Sequence, residues 1–251
     1  MKYVWLVVLY LVPCLLTANE NLLRFFEAGN RYYQQENFDS ARIAYEQIAG
    51  QGYARADLFF NLANTYVKLH RPQWAIYYYE KALRLTPRDE DIRFNLNRTK
   101  LMLSDKIEPI AKPFYLRWVE QWAQILTLKE IQILWLITFS LGLTGAFIYI
   151  YQFRRRRLTL VKLALTLILA ALTLETMWLV ERARFYQDPC VAILISDEIE
   201  VKVSPSKEAE AAFIIHAGIK LHQLQRREDW IEIQLENGYT GWIPIEHCQF
   251  L

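Results

Sequence analysis

Six residue pairs recur along this chain at one fixed separation. Tyr32 returns as Tyr66 and Tyr45 as Tyr79, each 34 residues on (66 − 32, 79 − 45). Gly29 returns as Ala63, Ala41 as Ala75, Phe25 as Phe59 and Ile48 as Ala82. Small residues recurring beside aromatics at this period predict units of two antiparallel helices. The small side chain sits where the helices touch, and the aromatic fills the space beside it. Each unit leaves an apolar face open, so the units must stack.

The period and the placement of small residues resemble the tetratricopeptide (TPR) repeat. Helical patterning runs from Leu22 to about Leu103, and Pro87 ends the second repeat. Asn37-Phe38-Asp39 and His70-Arg71-Pro72 are expected as turns inside each pair. Asp89 to Leu103 is expected as a capping helix, with Ile92, Leu96 and Leu103 on one side. About three repeats are usual for stability, so two plus a cap call for something further to complete the stack. Asn61 and Asn64 share a helix face and, with Lys68, Tyr78 and Arg84, are expected to line a peptide-binding concave surface. The other reading of Tyr77-Tyr78-Tyr79 is that Tyr79 is core and the other two cover neighbouring helices.

Hydrophobic residues make up 53% of the chain and aromatics 14%, and three apolar runs account for the excess. Met1-Lys2 precedes an apolar stretch from Tyr3 to Leu16, expected as a signal peptide over 1–18 with Cys14 inside it. Ile131–Tyr151 and Leu158–Val180 are expected as spans flanking Arg154–Arg157. The expected layout is a transmembrane hairpin with helices over 131–152 and 158–181 and a cytoplasmic loop at 153–157. The repeats (19–104) and the C-terminal region (186–251) would then share the periplasmic face of a bacterial inner membrane. Lys162 and Glu175 are the formal charges of the second run and are expected to snorkel. Between repeats and hairpin, 105–130 is expected as a linker and an interfacial helix carrying Trp118 and Trp122; packing on the repeats is the alternative. Net charge is +2, which gives no footprint for nucleic acid.

From Cys190 the hydrophobic period becomes two. Five strands are expected, over 191–195, 199–203, 220–224, 230–235 and 239–244, with a hairpin at Asn237-Gly238. Val201-Lys202-Val203-Ser204-Pro205, His216-Ala217-Gly218, Asp229–Ile233 and Asn237–Ile243 resemble the bacterial SH3-like domain, a small all-β barrel. Trp230 and Trp242 then read as barrel residues, or with Tyr239 as a ligand groove.

The order of parts, a signal peptide, two TPR repeats, a two-helix transmembrane hairpin and a terminal SH3-like barrel, resembles the BatE family of Bat aerotolerance proteins. That resemblance implies a multidomain membrane protein. It also implies partners among von Willebrand A-domain membrane proteins and a MoxR-type AAA+ ATPase. The expected function is a non-enzymatic, membrane-anchored interaction scaffold. The alternative is a cell-wall sensor whose SH3-like domain binds peptidoglycan peptides.

No phosphate loop, nucleophile elbow or zinc-binding histidine pair is present in the sequence, and no cofactor or metal is expected. Cys190 and Cys248 bracket the C-terminal region. A disulfide between them is one expectation for an oxidising compartment, and would close a loop of 58 residues (248 − 190). Two thiols are the alternative.

Overall fold

In the computed structural model the repeated residues lie on successive helices, α1 (22–34), α2 (Phe38–Gly50), α3 (Ala56–Lys68) and α4 (Pro72–Leu85), followed by α5 (Glu90–Lys100). The structure describes residues 22–108, 110–111, 113–114, 128–152, 158–186 and 190–251. The expected signal peptide with Cys14, the helix carrying Trp118 and Trp122, the Arg154–Arg157 loop and the Lys162 side chain lie outside the described residues.

The helix boundaries follow from local chemistry. The Asn37 side chain accepts a hydrogen bond from the Ser40 amide and caps α2, and Asp89 caps α5 through the Ile92 amide. Pro72 opens α4, where its missing N–H costs nothing. The turn within each repeat is closed by a residue in the left-handed region, Glu36 (φ 58°) and His70 (φ 56°), again 34 apart (70 − 36). Helix pairs meet on small residues: Ala41, Ala63, Ala75 and Ala82 are fully buried. A Cβ on Gly29 would stand 2.5 Å from Cε1 of Tyr45, so glycine is what lets that ring lie against α1.

The C-terminal residues form β1 (Val191–Leu194), β2 (Glu198–Lys202), β3 (Ala211–His216), β4 (Lys220–Arg227), β5 (Trp230–Gln234), β6 (Thr240–Pro244) and β7 (Cys248–Phe250). They pair as one antiparallel sheet in the order β3-β2-β6-β5-β4-β1-β7. This corrects the expected five-stranded barrel. The pattern Ala-Ala-Phe-Ile-Ile-His of β3 does not alternate, so it gives no period-two signal, yet it pairs with β2 along its length. The three-residue β7 follows a single 3-10 turn and is recruited by β1. One face of the sheet carries Val201, Leu221, Ile231, Ile233 and Ile243, all fully buried. Gly241 permits the approach of β6 to β2, since a Cβ there would lie 2.4 Å from Val201 Cγ1 and 3.0 Å from the Lys202 carbonyl.

Helices α1–α5 and the sheet form a single compact unit with residues up to Ile110, rather than two independent modules. Ile193, Ile195 and Leu251 pack into the same core as Tyr77, Tyr78 and Tyr79. Polar contacts seal the joint. Glu80 on α4, only 8% exposed, accepts from Lys220 of β4 (3.1 Å) and Lys100 of α5 (3.2 Å). Arg84 donates to the Leu251 carbonyl (3.3 Å), and Asp105 accepts from the His216 backbone amide (2.8 Å) and lies 2.9 Å from its Nδ1. Burial alone would push the Glu80 carboxyl up; Lys220 and Lys100 outweigh it and hold it below the usual glutamate range.

The second unit, within 111–188, contains α6 (Leu128–Gln152) and α7 (Leu158–Tyr186), packed on each other. Gly142 faces Ile168 closely, and the Thr138 hydroxyl donates to Glu175 Oε1 at 3.0 Å. Among the described residues, no helix is long and apolar enough to cross a membrane. The described side chains of the two helices include Thr138, Ser140, Thr144 and Glu175. The transmembrane hairpin, the multidomain membrane fold class and the inner-membrane localisation with its periplasmic and cytoplasmic sides are corrected accordingly.

Candidate functional site

Helices α1 and α3, with Tyr45 of α2, bound a pocket in the helical array. Asn30, Tyr33, Gln34, Tyr45, Asn61 and Asn64 line it, enclosing about 160 Å³. One hydrogen bond is repeated across the period. Tyr45 donates its hydroxyl to Asn30 Oδ1 (2.7 Å), and Tyr79 donates to Asn64 Oδ1. Both pairs are shifted by 34 (64 − 30, 79 − 45). Asn61 adds a second donor to Asn30 Oδ1 at 3.2 Å. The consequence is directional. With their oxygens engaged, Asn30 and Asn64 keep their amide N–H₂ groups as the donors available to the pocket. Burial, reinforced by the neighbouring Tyr33, pushes the Tyr45 hydroxyl up to about 12, so it stays a donor at any physiological pH.

The structure places Asn61 and Asn64 in one pocket with Asn30, which sequence reasoning passed over. The signal was present, since Asn30 lies one period before Asn64. Lys68 is exposed at the end of α3, with its ammonium 6.0 Å from the Phe38 ring centroid. Tyr78 and Arg84 do not join the pocket. Tyr78 is buried in an aromatic stack with Tyr66 (5.6 Å, interplanar 12°) and Trp74 (6.5 Å). Arg84 reaches the sheet instead. Both sit on α4, but Tyr78 packs against α3 while Arg84 reaches Leu251 at the end of the sheet.

On the sheet, Trp230 and Trp242 share a face. The register sets Trp230 opposite Pro244 and Glu232 opposite Trp242, so both tryptophans point away from the buried isoleucines at 231, 233 and 243. Tyr239 does not complete a groove with them. It is 64% exposed and packs against Phe213, 6.0 Å between centroids, at the side from which Phe213 meets the apolar core.

No disulfide joins Cys190 and Cys248. The β1–β7 register pairs Leu194 with Cys248, which leaves Cys190 four positions further along, about 13 Å at ~3.3 Å per residue. Disulfide Cα atoms lie within about 7 Å, so this fold does not permit the expected bridge. Burial pushes the Cys248 thiol up to about 12. Iodoacetamide at pH 8 is therefore expected to label Cys248 at least about tenfold more slowly in the folded chain than in denaturant, read by peptide mass. Equal rates would contradict the burial.

Among the described residues, no group of three or more histidine, cysteine or acidic side chains is placed to hold a metal ion. Compared with known proteins, the chain matches the tetratricopeptide repeat family over residues 56–89, which is α3, α4 and the turn that follows. No curated protein matches the chain. The segment 56–89 is a TPR repeat, and such repeats are interaction modules that are typically non-catalytic. That supports a protein-interaction scaffold.

Proposed function

We propose that this protein binds an extended peptide segment of a partner protein in the pocket between α1 and α3. The observation that carries the reading is the doubled tyrosine–asparagine bond, which orients two amide N–H₂ groups one repeat apart. An extended peptide offers backbone carbonyls in a row, and amide donors held in fixed directions suit them. The pocket is uncharged, so affinity would come from hydrogen bonds and the tyrosine rings, with Lys68 at its edge favouring an acidic residue nearby.

Peptides selected by phage display on the full chain provide the test. Each Asn30→Ala or Asn64→Ala change removes one neutral hydrogen bond, about 0.5–1.5 kcal/mol. The double variant should therefore bind roughly 5- to 160-fold more weakly, measured at a temperature where circular dichroism shows it folded, because it also leaves the Tyr45 and Tyr79 hydroxyls without their acceptors. Selected peptides whose binding ignores both substitutions would place the site elsewhere.

The finer identity of the partner rests on resemblance to the BatE family, which points to von Willebrand A-domain proteins and a MoxR-type ATPase in an aerotolerance or envelope-stress assembly. Co-purification from the native cell, compared between wild type and the Asn30/Asn64 double variant, tests that set. Failure to recover either partner with wild type would remove it while leaving the peptide-binding reading in place.

A further inference from the structure

Helix α6 is apolar on two opposite sides, and one of them is left open. Ile131, Trp135, Thr138 and Gly142 recur at helical spacing and share the inner side. Ile131 is fully buried, the Trp135 indole nitrogen is buried, Thr138 donates to Glu175 of α7, and Gly142 closely faces Ile168 of α7. Ile133, Leu136, Ile137, Ser140, Leu141 and Thr144 line a groove about half a turn round the helix, and all six are exposed. The two hydroxyls of the groove do not depend on water. Ser140 donates to the Leu136 carbonyl (2.7 Å) and Thr144 to the Ser140 carbonyl (2.8 Å), so covering this face strands no donor. A helix apolar on both sides belongs in an interior.

From this geometry we infer that the groove is the docking surface for a second copy of this chain, α6 against α6 in antiparallel. The groove complements its own reverse. A two-fold axis between residues 138 and 139 brings Ile133 opposite Thr144, Leu136 opposite Leu141 and Ile137 opposite Ser140. Every lining residue then has its mate within the groove. The two smallest, Ser140 and Thr144, leave room for the two isoleucines, as ridges fit grooves in helix packing. No lining residue is charged, so nothing in the contact repels its copy. The exposed apolar side chains of α6 and α7 together amount to roughly 1,000 Å² per copy, against about 800 Å² per partner in a stable dimer. The contact uses none of the residues of the α1–α3 pocket and stands or falls independently of it.

Sedimentation velocity of the full chain should show a reversible monomer–dimer equilibrium. Ile137→Glu and Ser140→Glu each bury a carboxylate in the contact and should raise the dissociation constant at least about tenfold. Both positions are exposed in the single copy, so circular dichroism should match wild type. Orientation is read by oxidising cysteine variants with copper phenanthroline and identifying the linked peptides by mass. Wild type supplies the background from Cys14, Cys190 and Cys248. A mixture of Ile133→Cys and Thr144→Cys chains should link position 133 to position 144. Ile133→Cys alone should not link to itself, because the antiparallel register sets the two copies of position 133 about 16 Å apart along the helices. Should the glutamate variants unfold, the cross-link pattern decides alone. A monomer at every concentration, a dimer that both folded glutamate variants leave intact, or links between two copies of position 133 would overturn the assignment. So would a chain that stays monomeric and sediments instead with phosphatidylcholine vesicles, which would make lipid the occupant.

Discussion

Replacing Glu80 by alanine should lower the stability of the repeat-and-sheet unit by about 2–4 kcal/mol, because it leaves two partly buried ammonium groups facing a cavity with no counter-charge. The range sits towards the lower end for a broken buried pair. Lys100 and Lys220 keep 39% and 26% of their side chains exposed and can turn part-way to water. Urea unfolding at pH 7 reads the loss. Lys220→Met should cost less, and the double variant should be less destabilised than the sum, since both changes remove the same interaction. The pH dependence has a definite sign. The Glu80 carboxyl is held below its ordinary value of 4.5, so its contribution is fully present above that value and is lost as pH falls through the lower folded one. The gap between wild type and Glu80→Ala should therefore be constant from pH 8 to about 5 and narrow below it. A gap of zero at pH 7, or one that widens on acidification, would contradict the account.

Gly29→Leu should be at least as damaging, by about 3 kcal/mol or more, and should also weaken the pocket. A Cβ at Gly29 meets three atoms of the Tyr45 ring at 2.5, 2.7 and 2.9 Å, and a planar ring packed in the core cannot bend out of the way. Gly29→Ala sharpens the point. Helix propensity alone would make alanine stabilising by about 1 kcal/mol, so a destabilised Gly29→Ala reports the contact and nothing else. Displacing the ring also moves the Tyr45 hydroxyl from Asn30, releasing the amide that the pocket uses. Peptide affinity should thus fall in Gly29→Ala even at temperatures where it is fully folded. Tyr45→Phe, which removes the hydroxyl and keeps the ring, should reproduce the affinity loss at a cost of about 1 kcal/mol in stability. Unchanged affinity in both variants would show that the Tyr45–Asn30 bond does not orient the pocket.

The two halves of the first unit were legible to different degrees. In the helices, the positions Ala41, Ala63, Ala75 and Ala82 announced buried contacts because a helix pair packs on its sequence neighbours, so the pattern that builds it is local. Asn61 and Asn64 could be placed on one face for the same reason, and Asn30 could have been found by stepping back one period. Tyr78 and Arg84 lie apart from that pocket, because propensity says which residues share a helix face but not what covers it. The strand over 230–234 followed from period-two alternation, whereas β3, with its unbroken apolar run, gave no such signal. The spans were expected from run length and hydropathy, but among the described residues no helix is long and apolar enough to cross a membrane.

By itself, the sequence determined the helical pairs, their stacking at a period of 34 and the small residues on which they meet, since each depends on residues within one or two repeats. It also required that something cover the open end of a two-repeat stack. Only the tertiary structure decided that the chain's own sheet joins the expected capping helix α5 in that cover. Glu80 meets Lys220 across 140 positions and Arg84 meets Leu251 across 167. No periodicity reaches that far. The pairing is chosen by the free energy of burying two apolar faces and three charges together, which exists only once both elements are formed.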